Sequence, residues 1–163
     1  MKEPIARAIL IPPWLEICEV FESKGFEFPS AAKVRIVSWA HDSCRHFAAA
    51  SEDGKDVYFS PDMAELPDAT ALAIMAHEAG HLVDLSCPCR FWWLNGKLVD
   101  AGEFNKSKGF KRALERWRAR SEDDLEWIAD AIAEQVLGVR IGYSGKCLIQ
   151  TLDGGIPRPK GLR

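Results

Sequence analysis

His77-Glu78-Ala79-Gly80-His81 is set in a strongly apolar stretch that runs from about Ala69 to Leu85, after Pro61 and Pro67. That stretch predicts a helix capped by Asp68 or Thr70. Residues four apart share one helix face about one turn apart, so the His77 and His81 imidazoles reach a common point where one zinc ion fits. Glu78 stands on the adjoining face, where its carboxylate can accept the proton of a metal-bound water. Leu72, Ile74, Met75, Ala76, Leu82 and Val83 surround the motif and place it in a mostly buried helix rather than on a solvated face. Gly80 costs roughly 1 kcal/mol of helix propensity relative to alanine. A residue kept at that cost points to close packing or to function.

A hydrolytic zinc needs a third protein ligand while one position stays open to water. The last strong helix supplies it. Ser121 to Asp124 has the form of a capping box, Gly138 closes the helix, and Leu125, Ile128, Ala129, Ile132 and Val136 form its core stripe. Glu126 and Asp130 sit together at the flank of that stripe, beside Ala133 and Leu137. Two like charges one turn apart in an apolar setting call for a cation or a hydrogen-bond partner. Glu126 is assigned to the metal, with Glu122, one turn earlier, as the alternative. Asp130 then accepts the N–H of a ligand histidine and fixes its tautomer.

The two motifs together, His77-Glu78-Ala79-Gly80-His81 and, 45 residues on, Glu126-Trp127-Ile128-Ala129-Asp130, resemble a gluzincin-type metallopeptidase. Ala129-Asp130 followed by Ala133 and Leu137 is similar to the pattern of the ImmA/IrrE-like proteases, with Ile132 in place of the usual aromatic. The resemblance covers about residues 57 to 137. It implies a compact zincin domain with one zinc held by His77, His81 and Glu126, Glu78 as general base or acid, and hydrolysis of peptide bonds in a protein substrate. ImmA/IrrE-like members cleave or control repressor proteins in bacteria and mobile elements.

The rest of the chain supports an α+β domain. Trp14, Ile17, Cys18 and Phe21 follow Pro12-Pro13 at helical spacing, and Gly25 stands where that helix would close. Val34–Trp39, His46–Ala50 and Asp56–Ser60 read as strands of a small, mainly antiparallel sheet packed on the His77 helix. In zincins the strand corresponding to Asp56–Ser60 is an edge that pairs with extended substrate. Gly96, Gly102 and Gly109 mark a looser stretch around Phe91-Trp92-Trp93, which either packs under that stretch or walls a cleft. A basic helix follows from about Phe110 to Arg120. The reading is one domain over residues 1–152 and a Gly/Pro-rich basic tail over 153–163.

With 163 residues, 47% hydrophobic and 28% charged, the chain is neither disordered nor fibrous. Its formal net charge of −3 gives no global attraction to nucleic acid or anionic membrane, so such a partner would need a local patch. Lys106, Lys108, Lys111, Arg112, Arg116, Arg118 and Arg120, with Phe110 and Trp117 interleaved, form one that fits a phosphate backbone or reads as a solvated helix face. The Ile5–Ile11 run is too short and too interrupted for a signal peptide or a membrane span. Five scattered cysteines, Cys18, Cys44, Cys87, Cys89 and Cys147, read as reduced thiols in a cytoplasm. Cys87-Pro88-Cys89 with Cys44 or Cys147 is the alternative, a second metal site. A peptidase also needs a donor for the oxyanion of its tetrahedral intermediate. Tyr143, in the Gly142–Gly145 loop, is assigned that role, with Tyr58, His41 and His46 as other options.

Overall fold

A computed structural model describes residues 2–26, 34–37, 47–102 and 109–141. The tail 153–163, together with His41, Cys44, His46, Lys106, Lys108, Tyr143 and Cys147, lies outside the described residues. The architecture is α+β. Its elements are α1 (Glu3–Ser23), β1 (Val34–Ile36), β2 (Ala48–Ala50), β3 (Val57–Phe59), a 3₁₀ turn (Pro61–Glu65), α2 (Asp68–Ser86), β4 (Phe91–Leu94), β5 (Lys97–Asp100), α3 (Phe110–Arg118) and α4 (Glu122–Leu137).

The first helix begins ten residues before the expected start and passes through Pro12 and Pro13. A proline inside a helix removes a backbone hydrogen bond and crowds the preceding turn. Packing outweighs that cost here, because Ala6, Leu10, Trp14, Ile17, Cys18 and Phe21 form one buried stripe that continues across the proline pair. Trp14 meets Phe59 edge to face, with ring centroids 5.3 Å apart, which docks α1 on the sheet. Gly25 closes the helix as expected, with φ +92° and its N–H donating to the Glu22 carbonyl.

The three-stranded sheet has the order β1-β3-β2, with β1 and β3 parallel and β2 and β3 antiparallel. It is therefore mixed rather than mainly antiparallel. Its middle strand is β3, the one expected at an edge. Val34 pairs with Val57 and Ile36 with Phe59, and this long-range pairing covers the side of β3 that a substrate would have needed. Among the described residues, the edges of this sheet are β1 and β2.

The looser stretch after α2 contains a second sheet, the β4–β5 hairpin, with Phe91 opposite Asp100 and Leu94 opposite Lys97. Asn95 and Gly96 make its two-residue turn with φ of +53° and +73°, the left-handed pair that such hairpins favour. Arg90 closes the open end by donating two hydrogen bonds to Asp100, at 3.0 and 3.1 Å.

The most enclosed element is α2, packed against α1, β2 and α4 and buried almost continuously from Ala73 to Asp84. Its N-cap is Pro67, with no side-chain cap; Asp68 is the first helical residue and Thr70 is buried, so neither acts as expected. The α4 start does follow expectation. The Ser121 hydroxyl accepts from the Asp124 N–H at 3.1 Å, and Gly138 ends the helix in a left-handed conformation. No helix among the described residues is long and apolar enough to cross a membrane.

Candidate metal centre

The two helices that carry the motif residues run side by side and antiparallel, because Gly80 lets them approach to backbone contact. A methyl group built on Gly80 would overlap the Ala129 carbonyl oxygen and lie 2.7 Å from its carbonyl carbon. The propensity cost of this glycine therefore has its cause in helix packing. The closeness brings α2 and α4 side chains together across a buried seam.

Along that seam His77, His81 and Glu126 meet. The two imidazole Nε2 atoms are 3.1 Å apart, and the Glu126 carboxylate lies 2.6 Å from the first and 3.2 Å from the second. Behind His77, Asp130 is fully buried and its Oδ1 lies 2.7 Å from Nδ1. With Nδ1–H donating to Asp130, the Nε2 lone pair of His77 points at the Glu126 oxygen and at the second imidazole. Acceptor groups crowded in this way require a positive charge between them. A metal ion bound at 2.0–2.2 Å by such ligands would set tetrahedral neighbours roughly 3.3 Å apart. The 3.1 and 3.2 Å spacings approach that value and the 2.6 Å His77–Glu126 contact is a hydrogen-bond distance that an ion would widen; His77, His81 and Glu126 form a group able to hold a metal ion.

Without a metal, protons serve the same electrostatic need. Burial disfavours an imidazolium at His77, yet the charges and hydrogen bonds of Asp130 and Glu126 outweigh it and raise its pKa well above 6.5. Burial likewise works against the Glu126 carboxylate, but hydrogen bonds to His77 and His81 hold it well below the usual carboxylate range. Glu78 is buried on α2 next to the first histidine, 6% exposed. Glu122, the alternative ligand, is exposed in the first turn of α4 and stands outside the group. Tyr58 lies half-buried on the middle strand β3, also outside it.

Asp84 and Arg120 carry a feature that the sequence reading missed. Asp84, one turn beyond His81 on α2, is fully buried. Arg120 grips its two oxygens with two hydrogen bonds of 2.9 Å each. The guanidinium also donates to the carbonyls of Phe91 at 3.1 Å and Trp117 at 2.7 Å, and stacks on the Trp117 ring at 4.3 Å. Burial raises the Asp84 carboxyl even against Arg120, which marks a heavily desolvated pair. The two residues are 36 positions apart, so no local pattern signals the pair.

Trp93 on β4 packs on Trp127, the residue after Glu126, with centroids 5.7 Å apart. Trp92, on the other face of the strand, lies under Arg116 of α3 at 5.8 Å. Cys87 is half-buried and Cys89 is 1% exposed with φ +67°, both as free thiols. Neither belongs to a metal-holding group among the described residues. No protein-family model, curated protein or solved structure matches this chain.

Proposed function

We propose that this protein is a zinc metallopeptidase with a zincin-like catalytic frame that hydrolyses peptide bonds of a protein substrate. The observation that carries the reading is the convergence of His77, His81 and Glu126, with Asp130 behind His77. Two imidazoles and one carboxylate are the ligand set of hydrolytic zinc, and they leave one position open. Zinc bound there would polarise the scissile carbonyl and lower the pKa of a water.

The chain's own residues supply the remainder. Glu78, beside His77, accepts the proton of the attacking water and returns it to the departing amine. Asp130 keeps His77 in the tautomer that presents Nε2, and Glu126 offsets positive charge. The outer edge of β2, the sheet strand packed on α2, offers backbone N–H and C=O groups to an extended peptide. On this reading the substrate-pairing role falls to β2 instead of β3. The resemblance to ImmA/IrrE-like proteases supports a regulatory substrate such as a repressor, in a bacterium or mobile element. Free thiols at Cys18, Cys87 and Cys89 support a cytoplasmic setting.

The deciding experiment is elemental mass spectrometry of protein purified without chelators, with hydrolysis of an unfolded protein substrate measured in parallel. One zinc per chain in the wild type, with a lower ratio and weaker binding in Glu126→Ala, is the expected result. Glu78→Gln retains zinc and loses about 10²–10⁴-fold in turnover. A wild type free of zinc, or a fully active Glu78→Gln, overturns the reading.

A second reading follows from α3. Lys111, Arg112, Arg116 and Arg118 are all exposed, and none forms an ion pair among the described residues. Such a face fits a phosphodiester backbone and makes the frame a binding scaffold. A gel shift that weakens with salt and with Arg112→Glu/Arg116→Glu would support it; no shift at low salt would remove it.

A further inference from the structure

Three sets of polar contacts link α2 in order to α4 and to the residue leading into it. His77 meets Asp130, both histidines meet Glu126, and Asp84 meets Arg120. The first and second make the metal group and its support. The third lies beyond it, at the end where the chain enters α4. Arg120 immediately precedes Ser121, the N-cap of α4, and Glu126 lies little more than one turn inside the helix.

We infer that the Asp84–Arg120 pair is a positioning element of the metal centre, holding the first turns of α4, and with them the Glu126 carboxylate, in register with His77 and His81. Glu126 stands between two anchors. On one side the Gly80–Ala129 contact and the Asp130 hydrogen bond fix the middle of α4 to α2. On the other, Arg120 donates four hydrogen bonds, two to Asp84 on α2 and one each to the carbonyls of Phe91 and Trp117. Its side chain is 6% exposed and that of Asp84 1%, so the grip is made away from solvent. For stability alone, an apolar pair of similar volume serves as well as a buried ion pair or better. What a bidentate fork adds is one defined distance and orientation between the elements it joins. Here it joins α2 to the residue that precedes the N-cap of α4, the entry to the second ligand-bearing helix. The inference rests on the metal-centre reading and does not depend on peptide hydrolysis.

The test measures zinc affinity by chelator competition and cobalt(II) absorption as a report on coordination. The variants are Arg120→Lys, the paired Asp84→Leu/Arg120→Met, Glu126→Ala, and the paired change in the Glu126→Ala background. Circular dichroism and denaturant unfolding check the fold. The paired variant is expected to unfold at or above the wild-type midpoint, yet to lose about 10–100-fold in zinc affinity with an altered cobalt spectrum. Arg120→Lys shifts affinity in the same direction. In the Glu126→Ala background the paired change has no further effect, because the ligand it positions is gone. A paired variant that binds zinc within about twofold of wild type overturns the inference, as does an equal loss in both backgrounds. Loss of fold in both the paired variant and Arg120→Lys also overturns it, by making the pair a stability element. A wild type that binds neither metal removes the metal-centre reading itself, and the wild-type arm alone shows that.

Discussion

Gly80 and Ala129 touch backbone to backbone: a Cβ on Gly80 would fall inside the Ala129 carbonyl and 2.9 Å from its Cα. No rotamer change relieves an overlap with main chain, so one helix must move. Gly80→Ala gains about 1 kcal/mol of helix propensity and loses more through overpacking, typically 1–3 kcal/mol and more against rigid backbone. The expected outcome is a lower urea midpoint together with reduced zinc content. A variant as stable as wild type and fully loaded would show that the seam opens freely.

Asp130→Asn tests the support behind His77. The amide keeps the size of the side chain but removes the charge that faces Nδ1 at 2.7 Å. Zinc affinity falls about 10–100-fold while the fold persists, as read by chelator competition and circular dichroism. Undiminished affinity would mean that the Asp130 charge contributes nothing to the site.

The response to pH has a definite sign. In the metal-free protein the pKa of His77 lies well above 6.5, so its protonation stabilises the fold fully below 6.5. That contribution is lost as pH rises through the higher folded value. Zinc requires the unprotonated Nε2, so its own contribution grows through the same window. The depressed Glu126 contributes fully above 4.5 and loses that contribution progressively as pH falls below 4.5 toward its low folded value, outside this window. Calorimetry across a pH series, with zinc and with chelator, is expected to show a zinc-dependent rise in Tm that is small in mild acid and widens with pH. An increment that stays constant through neutrality contradicts the assignment.

Thiol reactivity separates the described cysteines. Burial pushes the Cys18 thiol up to about 12, with Glu22 adding to it. Burial also raises Cys89, against the opposing charges of Arg120 and Arg118. Alkylation requires the thiolate and access to it. Under native conditions the half-buried Cys87 is expected to be labelled before Cys18 and Cys89, with the order erased by denaturant, as peptide mass mapping would record. Early labelling of Cys18 would show that α1 opens from the core.

The sequence carried the metal group well because its signals are local. Helical spacing aligned His77 with His81 and Glu126 with Asp130, and Ser121 and Gly138 marked the limits of α4 by cap chemistry that the structure repeats. The choice of Glu126 over Glu122 followed from the buried face of that helix. Errors arose where distant contacts decide. Pro12-Pro13 reads as a barrier to helix, but the buried stripe from Ala6 to Phe21 overrides it. Asp56–Ser60 reads as a strand and Val57–Phe59 forms one, yet only its pairing with Val34–Ile36 makes it central. The β4–β5 hairpin has its local signal in Asn95-Gly96 between two strand-like runs, set among other glycines that read as a looser stretch. Nothing local could join Asp84 to Arg120.

That last pair also determines how the chain is routed. The chain leaves α2 just after Asp84 and returns to it through Arg120, and between them it makes the β4–β5 hairpin and α3. The excursion begins and ends at one point, like a handle whose two feet share a single rivet. Changes in its outer part, away from Phe91, Trp93 and Trp117, therefore leave that shared foot in place. A frame built this way separates the segment that can vary from the two helices that bring His77, His81 and Glu126 together.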